Sequence, residues 1–172
     1  MNASDARNRQ AYMPSLLDRL LDDQPGRQTE PPSAYAPDAE GMRRIVRRDL
    51  GLLLNTTNLH DEIEPERYPI AAASVINYGI PALAGGYVSD LTWHMLERRV
   101  RTAITHFEPR LIPESLHIKP VDDKAPIHYN KLAFQIHGLV RWAPYPLEFR
   151  IQSMLDVETN AITFVSTQAG VN

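Results

Sequence analysis

The chain has 172 residues, 43% of them apolar, and a formal charge of −3. That size suits one hydrophobic core rather than two, and the balance excludes a disordered polyelectrolyte and a strongly basic nucleic-acid binder. There is no cysteine, so disulfides, thiolate nucleophiles and Cys-based zinc or iron–sulfur sites are excluded, which fits a reducing compartment such as the cytoplasm.

In chain order, residues 1–10 are polar and carry no apolar signal core. No apolar run approaches the roughly 20 residues that cross a bilayer, so the expectation is a chain neither exported by a signal peptide nor embedded. Pro14-Ser15-Leu16-Leu17-Asp18-Arg19-Leu20-Leu21 offers a turn of amphipathic helix too short to stand alone. Asp22 to Asp38 is polar and contains Pro25, Pro31, Pro32 and Pro37, the composition of an extended linker. The spacing thus divides the chain into a docking segment with its linker, 1–38, and one domain, 39–172. Leu16, Leu17 and Leu20 either dock on a partner or fold back on their own domain.

A helix capped by Asp38 or a neighbour runs to about Leu54, with Met42, Ile45, Val46, Leu50 and Leu53 on one stripe. Arg43, Arg44, Arg47 and Arg48 form the opposite face, which is either solvated or turned to an acidic partner. Asp49 falls within the apolar stripe, so its carboxylate requires a donor or an arginine. Asn55 to Pro69 reads as a polar loop, and Ala71 to Tyr78 as a short helix stopped by Gly79 and Pro81. After the Gly85-Gly86 joint, Ser89 caps a long helix from about Asp90 to Phe107 with Trp93, Leu96, Val100, Ala103, Ile104 and Phe107 on its core stripe. Beyond Pro113 the period becomes two. Leu116 and Ile118, then Leu132, Phe134 and Ile136, then Leu147, Phe149 and Ile151 alternate with polar residues, and Ile162 and Phe164 return after a turn at Glu158-Thr159-Asn160. Helices first and strands last predict an α+β domain, with N-terminal helices packed on one face of a C-terminal antiparallel sheet of three to four strands.

The sequence lacks the phosphate-binding, dinucleotide, nucleophile-elbow and H-E-x-x-H signatures. The six histidines are scattered; His94 and His106 lie about 120° apart on their helix and are not placed to share a metal. No cofactor or metal is expected. Glu108-Pro109-Arg110 is the constellation that stands out, because Pro109 ends the long helix while Glu108 faces the unfavourable end of its dipole. Either Glu108 pairs within the chain with Arg110 or a neighbouring arginine, or the two charges project to a partner. On the second reading, substitutions at Glu108 and Arg110 leave the isolated domain folded.

Four blocks carry a resemblance: Pro14 to Leu20; Val46-Arg47-Arg48-Asp49-Leu50 through Leu53-Leu54-Asn55-Thr56; Ser74-Val75-Ile76-Asn77-Tyr78-Gly79-Ile80-Pro81; and Ile104 with Phe107-Glu108-Pro109-Arg110-Leu111. In order and spacing they resemble the TssE family of type VI secretion baseplate subunits and, more loosely, the small wedge protein of contractile-phage baseplates. Thr57 stands where relatives often carry arginine, and Ala82 where aspartate is common. The resemblance implies a cytoplasmic structural subunit at an inner-membrane-docked baseplate, without cofactor. Its implied partners are the wedge subunits TssF, TssG and TssK and the sheath subunits TssB and TssC. It implies a partner-binding role for Glu108, Pro109 and Arg110, beside Leu16, Leu17 and Leu20. It further implies a free sheet edge, since the phage relatives seed their sheath by strand exchange. The alternatives are a lysozyme-like peptidoglycan hydrolase, a label this family has carried, and a cytoplasmic regulatory adaptor. An arginine beside Glu108 is placed to pair with its carboxylate and so to spoil a general acid, which weighs against the hydrolase and for no enzymatic activity.

Overall fold

Asp38 starts the first helix: its Oδ1 accepts the Gly41 N–H at 2.6 Å, satisfying one of the donors that a helix start leaves unpaired. The structure is a computed structural model that describes residues 37–82, 93–121, 127–128 and 131–165, together with Asp18 and Gly26. Helix α1, Ala39–Leu54, buries Met42, Val46, Leu50, Leu53 and Leu54. The Asn55 N–H returns to the Gly51 carbonyl and the Thr56 hydroxyl donates to that of Leu52, which closes its end.

The helix expected over 71–78 is instead two pieces, α2 at Pro69–Ala72 and a 3-10 turn at Val75–Asn77. Ser74 makes the break. Its hydroxyl donates to the Ala71 carbonyl and accepts the Ile76 N–H, a local alternative to continued helix that suits the β-branched residues after it. Gly79 then takes φ +120°, and a Cβ there would sit 2.2 Å from the Thr56 carbonyl oxygen. Only glycine allows the Ile80 N–H to reach that oxygen and Ile80 to bridge Thr57. Helix α3 is described over Trp93–Phe107, and it buries Leu96, Val100, Ala103 and Ile104, with Trp93 and Phe107 packed against the core. The Ser89 cap and the helix start near Asp90 lie outside the described residues.

The strands follow: β1, His117–Pro120; β2, Ile127–His128; β3, Lys131–Val140; β4, Leu147–Asp156; β5, Ala161–Val165. All pairings are antiparallel, in the order β1-β3-β4-β5, and the two-residue β2 shares with β1 one edge of β3. Their alternation sends Ile118, Leu132, Phe134, Ile136, Val140, Phe149, Ile151, Leu155 and Ile162 to one buried face, where α1 and α3 pack. The opposite face carries partly exposed polar residues. Thus the domain is α+β, with its helices N-terminal to a sheet four strands wide. Val157 to Asn160 turns β4 into β5; the Asp156 carboxylate accepts the Glu158 and Thr159 N–H groups, and these bonds, the Thr159 one foremost, hold its pKa below the usual carboxylate value.

Both sheet edges are occupied in part. At β5, Asn55 Oδ1 accepts the Ile162 N–H at 2.8 Å, its Nδ2 donates to the Ile162 carbonyl at 2.9 Å, and Arg47 donates to the Phe164 carbonyl. At β1, Pro120 has no N–H to offer and Arg101 donates to the Leu116 carbonyl.

Candidate partner-binding site

Where α3 ends, the Glu108 N–H still bonds to the Ile104 carbonyl, and Pro109 then turns the chain toward the sheet. The exit is fastened to the C-terminal end of β3: Arg141 N–H, just past the strand, donates to the Arg110 carbonyl at 2.7 Å, Ile112 N–H donates to that of Leu139, and Leu111 bridges Val140. Arg141 Nε also donates to the Pro109 carbonyl. Glu108-Pro109-Arg110 is therefore a fixed corner between a helix and a strand.

Its charges do not both project. The Glu108 side chain is 3% exposed, against 30% for Arg110, which corrects the image of two outward charges. Glu108 Oε1 accepts from Arg110 Nε at 2.6 Å and from the Arg110 N–H, while Oε2 accepts from Arg110 Nη2. That is the in-chain pair that the sequence left as an alternative. The same Nη2 donates at 2.6 Å to Asp49 Oδ2, so Asp49 has the arginine that its place in the α1 stripe requires. Asp49 Oδ1 accepts in turn from Arg48 Nε and Nη2, at 2.9 and 2.7 Å, and Arg48 Nη1 reaches Asp18. The result is an alternating chain of three carboxylates and two guanidinium groups that runs from the α3 exit across α1 to the N-terminal segment.

Electrostatics follow from this packing. Burial works to lower the Arg110 pKa, but the bond and charge of Glu108, then those of Asp49, outweigh it and hold the guanidinium above its ordinary value. Arg48 is likewise raised, chiefly by its bond to Asp18 against partial burial. Tyr78, whose ring meets Phe107 edge-on at 5.3 Å, has its phenol pushed up by burial first and then by the negative charges of Asp49 and Glu108, partly offset by Arg110. Both arginines are fixed cations.

The arginine face of α1 is mostly engaged within the chain. Arg43 bonds the Glu148 carbonyl and Glu40, Arg47 the Phe164 carbonyl, and Arg48 the two aspartates, while Arg44 is exposed. Periodicity identified that face as polar but carried no signal that the strands would bring carbonyl acceptors to it. Of the segment 16–21, Asp18 alone is described; Leu16, Leu17 and Leu20 lie outside the described residues. Arg141 was invisible to the sequence reading because nothing marks a strand end as a brace for a distant turn. Among the described residues, no three histidine or carboxylate side chains converge to hold a metal, and no helix is long and apolar enough to cross a membrane.

Residues 40–145 match the profile of the baseplate wedge protein gp25 family. The chain belongs to that family. The match runs from the first turn of α1 through the fixed corner and β3 to the loop before β4, and so includes Asp49, Glu108 and Arg110. No individual curated protein and no solved structure is significantly similar to the chain. Membership assigns a baseplate domain with a structural role, one that associates with other baseplate components.

Proposed function

We propose that this chain is the TssE-type subunit of a type VI secretion machine, a structural part without cofactor or enzymatic activity. It joins the wedge subunits TssF, TssG and TssK and helps the TssB and TssC sheath to start, on the cytoplasmic side of a baseplate docked at the inner membrane. The observation that carries this reading is the wedge-family match over 40–145, together with the four sequence blocks shared with TssE. Leu16, Leu17 and Leu20 are the proposed partner contacts of the N-terminal segment. At the corner, exposed Pro109 and the open third of Arg110 are the contacting surface, and Glu108 contributes by fixing the guanidinium in one orientation.

The hydrolase alternative needs a free carboxylic acid facing a second carboxylate across a sugar-sized gap. Both Glu108 oxygens are bonded to Arg110, and the nearest carboxylate of that network, Asp49, shares the same guanidinium. The test is genetic and biochemical: the chain should co-purify with TssF, TssG and TssK, and cells without it should form no fluorescently marked sheaths. Normal sheath assembly in its absence overturns the proposal, and peptidoglycan cleavage by the purified chain that is lost on a single carboxylate-to-amide change would restore the hydrolase.

A further inference from the structure

The Ser74–Pro81 block has an inward and an outward half. Inward, Asn77 accepts the Leu59 N–H at 2.9 Å and donates to the Ala72 carbonyl at 2.8 Å, Tyr78 packs on Phe107, and Ile80 is buried. Those bonds, with Gly79, hold the segment rigidly in place. Outward, Val75 is 80% exposed and Ile76 68%, and Ile70 on α2 is 86% exposed. Nothing in the fold gains from three large aliphatic side chains held in water on one short stretch, and such patches mark interaction surfaces.

Beside this ledge lies a groove of about 590 Å³ between the 58–81 segment and α3. The ledge contributes Ala72 and Asn77 to one wall; α3 contributes His94, Met95, Arg98 and His106 to the other. Among the described residues its lining contains no Asp or Glu. Arg98 is exposed and forms no ion pair among the described residues, and Met95 is a further exposed apolar side chain.

We propose that the ledge and groove receive an amphipathic segment of a partner protein in the assembly, with aliphatic side chains set against Ile70, Val75 and Ile76 and carboxylates against Arg98 and His94. The proposal rests on the structural-subunit reading above. Charge selects this occupant. A polyanion such as nucleic acid would meet the exposed Asp61, Glu62, Glu64 and Glu66 of the loop that flanks the groove. An isolated carboxylate placed over Arg98 need not reach that loop.

The experiment places a photo-crosslinking amino acid at Ile76, with Thr163 on β5 as a control, in cells that build the machine. The crosslinked peptide is sequenced by mass spectrometry, with and without Arg98→Glu. The expected result is one partner segment that combines aliphatic residues with Asp or Glu, captured from Ile76 and not from Thr163, with a yield that falls about tenfold in Arg98→Glu. The thermal midpoint of the purified Arg98→Glu chain should not move, since the side chain is exposed. No crosslink, a crosslink to a second copy, a segment without carboxylates, or a yield indifferent to Arg98→Glu overturns the proposal. If the wild-type chain still co-purifies with the wedge subunits in that case, only the groove assignment fails; if it does not, the structural reading fails with it.

Discussion

Replacing Glu108 with alanine removes from Arg110 the carboxylate that accepts from its Nε, its Nη2 and its backbone N–H, and leaves Asp49 as the remaining acceptor for the guanidinium. Breaking a fully buried ion pair by deleting one partner costs about 3–5 kcal/mol. Arg110 keeps Asp49 and is nearly a third exposed, so water and the surviving pair offset part of that loss, and the expected cost is about 2–3 kcal/mol. For a domain of this size the thermal midpoint should fall by about 5–10 °C. Arg110→Ala should cost at least as much, because it strands the more deeply buried Glu108 carboxylate, and Arg110→Lys should lie between, since one ammonium cannot span both carboxylates in the same plane. Thermal and urea denaturation of the isolated chain provide the measurement, and a double-mutant cycle between Glu108→Ala and Asp49→Ala tests whether the two communicate through Arg110. Midpoints within about 1 °C of wild type for both Glu108→Ala and Arg110→Ala would show that the network does not brace the fold, and would return the corner to a purely outward role.

Gly79→Ala should destabilise the domain by about 3 kcal/mol or more, because its Cβ would strike the Thr56 carbonyl in a backbone conformation that alanine resists; an unchanged urea midpoint refutes this. Ser153 is buried on the core face of β4, and its hydroxyl has no hydrogen-bond partner among the described residues, so Ser153→Ala should raise stability by about 1 kcal/mol, and a lowered melting temperature counts against the reasoning. The Asp156 carboxyl is depressed by the turn it caps, so its contribution is complete above the unfolded pKa of about 4 and is lost as pH falls from there through the lower folded value. Carbon-detected NMR titration reads that pKa directly, and the wild-type advantage over Asp156→Asn should shrink across the same acidic window. Asn55→Ala should cost about 1–2 kcal/mol by releasing the α1 end and the Ile162 backbone together, with an unaltered midpoint as the refuting result.

Periodicity made the frame legible. The α1 and α3 stripes placed Met42, Val46, Leu50, Leu96, Val100 and Ile104 inside, since a helical face has only one core to meet, and the period-two runs gave the strands and the β4–β5 turn. The anomaly at Asp49 was also legible, because a carboxylate in an apolar stripe must be bonded, although which arginine answers it, 61 residues away, is set by tertiary packing. Glu108 shows the limit more sharply. Its place after a helix end announced a purpose, but whether it faces inward depends on how the α3 exit meets β3. The break at Ser74 was missed because helical periodicity does not register a hydroxyl that competes for backbone groups.

The side-chain amide of Asn55 occupies both backbone groups of Ile162, as a neighbouring strand would. Any strand laid along β5 must therefore displace Asn55, and take the Phe164 carbonyl from Arg47, so lateral growth of this sheet is an exchange that gains little from those hydrogen bonds. The competitor is tethered a few ångströms away, and tethered groups act at effective concentrations of order millimolar. Free copies at micromolar concentration lose that competition at this edge. A strand held beside β5 by a neighbouring subunit would compete on equal terms, so exchange at this edge would require that the strand first be brought there.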